Sequence, residues 1–199
     1  MKLIDKKDIP FTTKKFFDEN YDLITPENTE RFQIGLFDHF LNEEEVIEFY
    51  DSNSVEENFS ENEMRYFNFI AEVFESSLTQ IFIEIEMDEL SNSKIIEILN
   101  ILDFEDKNIW IEFVKKLDNA NSKLIEIDSK KELKMFFKII TRELTSPIFH
   151  FENGKVNLLG NFDLFFPMFF ENNELVNKYK GIALKNNLHI LKIENQHYT

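Results

Sequence analysis

Apolar positions along this chain are spaced for helices in the first half and for mixed helices and strands in the second. Thr25-Pro26 predicts a helix start with Pro in the first turn, after which Phe32, Leu36 and Phe40 recur on one face. Asn42 with Glu45 predicts a short second helix using Val46, Phe49 and Tyr50. Ser60 with Glu63 reads as a capping box ahead of Met64, Phe67, Ile70, Ala71, Phe74 and Leu78, a stripe wide enough for deep burial. Ile81, Ile83, Ile85 and Met87 alternate with Phe82, Glu84, Glu86 and Asp88, the spacing of a strand with a polar outer face. Two more helices carry Ile95, Ile98, Leu99 and Leu102, then Trp110, Phe113, Val114 and Leu117.

The polar stretch Asp118-Asn119-Ala120-Asn121-Ser122 marks the change of pattern. It divides a mainly helical acidic part, 1–118, from an α+β part, 119–199, as two subdomains or as one compact domain. Lys123 to Ile127 predicts a strand, and Ser129 with Glu132 caps a helix through Leu133, Phe136, Phe137, Ile140 and Leu144, which Pro147 ends. Ile148 to Phe151 and Val156 to Leu159 flank the turn Glu152-Asn153-Gly154-Lys155 as a hairpin, and a third strand is expected from Phe162 to Phe166. A helix from about Asn173 to Lys185, capped by Asn186-Asn187, leads to a last strand, Leu188 to Ile193. The class is α+β, with a helical N-terminal part packed on a C-terminal mixed or antiparallel sheet and its flanking helices. Met64, Phe67, Ile70, Phe74, Phe136, Phe137, Ile140, Phe162, Leu164 and Phe166 are expected in the core.

Composition supports a folded chain: 199 residues, 43% hydrophobic, with 23 Phe. Phe, Ile, Asn and Lys all have A/T-rich codons, so a genome of low GC content accounts for their abundance without selection for function. The chain has no Cys, which removes disulfides, thiolate metal sites and a Cys nucleophile together. The segment MKLIDKKDIP is charged at Lys2, Asp5, Lys6, Lys7 and Asp8, and no stretch approaches the roughly 18 apolar residues of a membrane helix. A cytoplasmic location without membrane association is the expectation.

Charge changes the picture. Between Phe32 and Ser93 there are 16 acids and one base, Arg65, while the other 137 residues are nearly balanced. Asn42 to Glu63 holds nine acids and no base: Glu43, Glu44, Glu45, Glu48, Asp51, Glu56, Glu57, Glu61 and Glu63. Five of them fall in the first turns of expected helices, where free backbone N–H groups favour carboxylates. The missing Lys at i+4 positions is not explained that way. These nine residues are therefore the candidate partner-binding surface, suited to a basic protein.

Catalytic chemistry finds little support. His39, His150, His189 and His197 lack metal-ligand spacing, and His150 reads as structural. Glu56-Glu57 and Glu84-x-Glu86 lack the Gly-containing calcium loop, and Glu105-x-Lys107 after Asp88 is a common spacing at a helix start. There is no phosphate-binding Gly loop and no G-x-S-x-G. Lys130, Lys131, Lys134, Lys138 and Arg142 form the only basic cluster, read as a solvated helix face and not as a nucleic-acid site. The expectation is a non-enzyme with no cofactor and no metal, acting as an acidic inhibitor. The first reading is an immunity-type antidote that occludes a basic toxin such as a nuclease. The alternatives are a phage-type anti-defence inhibitor that mimics nucleic acid, and an enzyme of unrecognised type.

Overall fold

Eight short segments pair into one antiparallel sheet, and the helices cover one of its faces. The computed structural model describes residues 2–4, 15–16, 23–53, 56–77, 80–85, 91–117, 124–160 and 164–193, without the side chains of Asn53, Glu56 and Leu117. The strands are β1 (Lys2–Ile4), β2 (Glu30–Gly35), β3 (Ile81–Glu84), β4 (Leu124–Ile127), β5 (Ile148–Phe151), β6 (Val156–Leu159), β7 (Phe166–Phe170) and β8 (His189–Lys192). Their order across the sheet is β1-β4-β3-β5-β6-β7-β2-β8. The helices are α1 (Glu43–Asn53), α2 (Glu56–Ser76), α3 (Asn92–Ile101), α4 (Phe104–Leu117), α5 (Lys130–Thr141) and α6 (Asn173–Lys185). The fold is thus α+β with an antiparallel sheet. Strands from either side of the polar 118–122 stretch, which itself lies outside the described residues, interleave in that sheet.

Register explains the core. Ile83 pairs with Phe149, Phe149 with Leu158, Leu158 with Met168, and Met168 with Phe32, so one row of apolar side chains crosses the sheet on a single face. Tyr66, Phe69, Ile70 and Val73 of α2, Phe136, Phe137 and Ile140 of α5, and Tyr179 of α6 complete that cluster. Edge-to-face contacts tie the layers together, Tyr66 to Phe166 at 5.2 Å and Tyr179 to Phe170 at 5.5 Å. Caps set the helix starts: Ser129 accepts from the Glu132 N–H, while Glu132 accepts from the Asp128 N–H. Among the described residues, no helix is long and apolar enough to cross a membrane.

The second face is also buried in part. Phe82, His150, Asn157 and Phe169 line up across β3, β5, β6 and β7, and Phe16 lies against Phe169 at 5.1 Å. The expected polar outer face of β3 is therefore not observed at Phe82, which is buried; Glu86, Met87 and Asp88 lie outside the described residues. His150 donates from Nδ1 to the Asn157 side-chain oxygen at 2.7 Å, because the Asn157 amide nitrogen donates to the Gly154 carbonyl. Its other nitrogen faces Glu84 at 3.3 Å.

Four sequence expectations need correction. The segment after Thr25-Pro26 is not a helix: Thr29 bonds back to the Pro26 carbonyl around a left-handed Asn28, and β2 follows, with Phe32 and Ile34 inward. The helix expected at Ser60 starts at Glu56, and Asn58 donates to the Ser52 carbonyl at the end of α1. Its buried stripe is Tyr66, Phe69, Ile70 and Val73, whereas Met64 is 45% exposed and Phe67 and Phe74 are only partly buried. The strand expected at 162–166 is β7, from Phe166 to Phe170; Leu164 and Phe166 are buried as expected, and Phe162 lies outside the described residues.

Packing separates two substitutions cleanly. Phe137 touches the rings of Tyr66, Phe149 and Phe166, so Phe137→Ala should cost about 3–5 kcal/mol in urea unfolding. Met64→Ala on the exposed side of α2 should stay within about 0.5 kcal/mol. Equal effects from the two would contradict this phase of α2.

Candidate functional site

Charge pairing inside the molecule decides which of the nine acids remain available. Glu63 is only 15% exposed; it accepts from Thr141 and pairs with Arg142 at 3.3 Å, joining α2 to α5. Glu61 pairs with Arg65 at 2.7 Å and Glu45 with His39 at 3.2 Å. Further along α2, Glu72 meets Lys185 at 2.7 Å, which holds its carboxyl below the usual range, and Glu75 meets Lys130. Among the described residues, no base lies within pairing distance of Glu43, Glu44, Glu48 or Glu57. Glu56 begins α2, and its side chain lies outside the description; Asp51 is exposed near the end of α1. The uncompensated charge therefore gathers on α1 and the first turn of α2.

Helix geometry orients that charge. Asn42 accepts from the Glu44 and Glu45 N–H groups and donates its own N–H to Glu45, a reciprocal cap that fixes where α1 starts. At about 100° per residue, Val46, Phe49 and Tyr50 then share one side, and Glu44, Glu48 and Asp51 point the opposite way. Ile47 sits between these sides and is 63% exposed. Charge and exposed apolar surface are adjacent on one short helix.

Beneath α1 the sequence leaves a cavity of about 380 Å³, lined by Gln33 and Gly35 of β2, Leu191 of β8, Phe37, His39, Phe40, Leu41, Val46, Phe49, Tyr50 and Phe165. Phe37, Phe49 and Phe165 pack against one another at 5.5–6.3 Å as its floor. Two backbone features place Phe165 there. Gly35 leaves room for it, since a Cβ at that position would stand 2.9 Å from the ring. Leu164 is left-handed, at φ 62°, with its carbonyl accepting from the buried Tyr66 hydroxyl, so that Leu164 and Phe166 enter the main core while Phe165 packs on Phe37 and Phe49. Such a conformation costs a non-glycine residue on the order of 1–3 kcal/mol, which surrounding packing must offset. Phe40 and Tyr50, 53% and 47% exposed, form the outer walls.

His39 closes one side of the mouth. Its ring bonds Asp38 at 2.9 Å and Glu45 at 3.2 Å, and both carboxylates raise its pKa above the ordinary 6.5. The two acids are lowered in turn, Asp38 by His39, and Glu45 first by the Asn42 N–H and then by His39.

The basic residues of α5 are not a bare solvated face: Lys138 reaches Asp103 and Asp106 at 3.2 and 3.5 Å, and Lys131 reaches Glu105 at 3.4 Å. Burial raises the Asp106 carboxyl, with Asp103 beside it adding to the effect, while the Asp106 N–H lowers Asp103. Asp88 and His197 lie outside the described residues. Among the described residues, no group of three or more His, Asp or Glu is placed to hold a metal ion. The aromatic cavity went unnoticed in the sequence, although Phe49-Tyr50 and Phe165-Phe166 carry a signal. Successive side chains of an extended segment point to opposite sides, so Phe165 and Phe166 do not share one core. No family model, curated protein or solved structure matches the chain.

Linkage gives a pH test of the His39 clamp. A raised folded pKa means that the clamp's stabilisation is complete below the unfolded value near 6.5 and is lost as pH rises through the folded value. His39 should titrate above 6.5 by NMR, and His39→Gln should lower the melting temperature at pH 5.5 but not at pH 9. An unshifted titration would contradict the clamp.

Proposed function

We propose that this chain is a small inhibitory binding protein that holds a basic protein partner, in the manner of an immunity protein neutralising a toxin such as a nuclease. The observation that carries this reading is the location of the unpaired carboxylates. Glu43, Glu44, Glu48 and Glu57 have no cation partner among the described residues, and the exposed Ile47 borders the charged side of α1. A solubilising surface would be served by charge alone. Charge beside exposed aromatic and aliphatic side chains is the composition of a binding face, in which carboxylates steer encounter and apolar groups hold the complex. Such a protein needs a rigid frame and no chemistry of its own, and the reading assigns it no cofactor and no direct contact with nucleic acid.

The nucleic-acid mimic ranks second on spacing. Glu44, Glu48 and Asp51 step about 4.5–6 Å along α1 at 1.5 Å per residue, sparser than the roughly 3.4 Å axial step of phosphates on one strand.

Affinity capture from the source cells tests the proposal. Wild-type bait should retain a basic protein at about 0.1 M salt and release it near 1 M, where the screening length falls from about 10 Å to 3 Å. Glu44→Lys with Glu48→Lys and Glu57→Lys should weaken capture at least tenfold. Lys130→Glu with Lys131→Glu, which breaks only pairs to Glu75 and Glu105, should not. The captured protein should lose its own activity when the wild-type chain is added. Capture that survives the first set of reversals and fails with the second would reject this surface.

A further inference from the structure

We propose that the cavity beneath α1 is an anchor pocket for one large apolar side chain carried by a basic polypeptide segment, an inference that rests on the reading of the acidic surface above. The cavity is a built feature: its floor depends on the left-handed Leu164, the absence of a Cβ at Gly35 and the mutual packing of Phe37, Phe49 and Phe165. Its walls are left open, with Phe40 and Tyr50 each about half exposed. Mostly apolar lining with two polar side chains, Gln33 and His39, suits an apolar guest whose backbone or flanks meet polar groups at the mouth.

Charge selects the occupant. Glu43, which has no pairing base among the described residues, starts the helix that roofs the cavity, Asp38 and Glu45 share the one His39 at its mouth, and Glu44 and Glu48 extend the negative field to the far side of α1. An anionic small molecule or an anionic lipid surface would be repelled. A second copy of this chain would bring its own net charge of −16 against the same field. A guest that places an aromatic ring in the cavity and Lys or Arg side chains over its rim satisfies both features at once. Central aromatic anchors ringed by complementary charge are the usual energetic focus of protein interfaces.

Three synthetic peptides separate anchor from charge: Lys-Arg-Trp-Arg-Lys, Lys-Arg-Ala-Arg-Lys and Gln-Gln-Trp-Gln-Gln. Each is titrated into the full chain up to about 1 mM, the weak limit of specific binding, with the methyl resonances of Leu41, Val46 and Leu191 followed by NMR. The basic tryptophan peptide should bind at least tenfold tighter than the basic alanine peptide and shift all three residues. Phe40→Ala with Tyr50→Ala should remove that advantage while leaving the alanine peptide's affinity and the melting temperature unchanged. Val46→Phe, which fills the cavity without cutting its walls, should do the same. Glu44→Lys with Glu48→Lys should weaken both basic peptides by a similar factor. Equal affinity of the two basic peptides overturns the anchor pocket and leaves the acidic-surface reading in place. A glutamine-flanked peptide that binds as tightly as the basic tryptophan peptide overturns the acidic-surface reading, and the basic occupant with it. Absence of binding by the basic tryptophan peptide overturns the pocket directly.

Discussion

Packing of aromatic side chains between the sheet and the helices α2, α5 and α6 is the interaction on which the remaining structure rests. Tyr66, Phe137 and Tyr179 stand on Phe149, Phe151, Phe166 and Phe170, and full burial of each large side chain contributes roughly 1.5–3 kcal/mol. That layer sets where α2 lies. It also holds the Tyr66 hydroxyl on the Leu164 carbonyl, and so turns Phe165 away from the core towards α1. The cavity is therefore a consequence of core packing, although it lies outside the main core.

Charge has a different role in the same frame. Two of the pairs that α5 makes with its neighbours, Lys130–Glu75 and Lys131–Glu105, are exposed, and such pairs contribute only about 0–1 kcal/mol each. They are too weak to hold the fold. Together with the other ion pairs they use up acids of α2 and of the start of α4, leaving Glu43, Glu44, Glu48 and Glu57 without a pairing base among the described residues. The strongly negative third of the sequence thus becomes a smaller surface, placed beside the exposed Phe40, Ile47 and Tyr50.

Local patterns made much of this fold legible. α5 follows from the cap at Ser129 and from apolar period, α6 from its Asn186-Asn187 end, and the β5–β6 hairpin from its Glu152-Asn153-Gly154 turn, in which all three residues have positive φ. β2 was obscured because Phe32, Leu36 and Phe40 happen to fall at helical spacing, although Phe32 and Ile34 already alternate. β7 is buried on both faces and contains Pro167, so neither alternation nor composition marked it as a strand. In α2 the period was legible and the phase was not, since Met64 and Phe67 compete with Tyr66 and Phe69 for the inward side. The acidic excess could be counted along the chain. Which acids are neutralised could not, because Glu63 and Glu72 find Arg142 and Lys185 only after 79 and 113 intervening steps of sequence.

Amide hydrogen exchange of the full chain, free and saturated with the basic protein it captures, tests the central claim most directly. The account predicts slowed exchange across 37–53 and the first turn of α2, with α5 and α6 unchanged. Protection confined to α5 or to the β1 edge, with 37–53 exchanging as in the free protein, would contradict it.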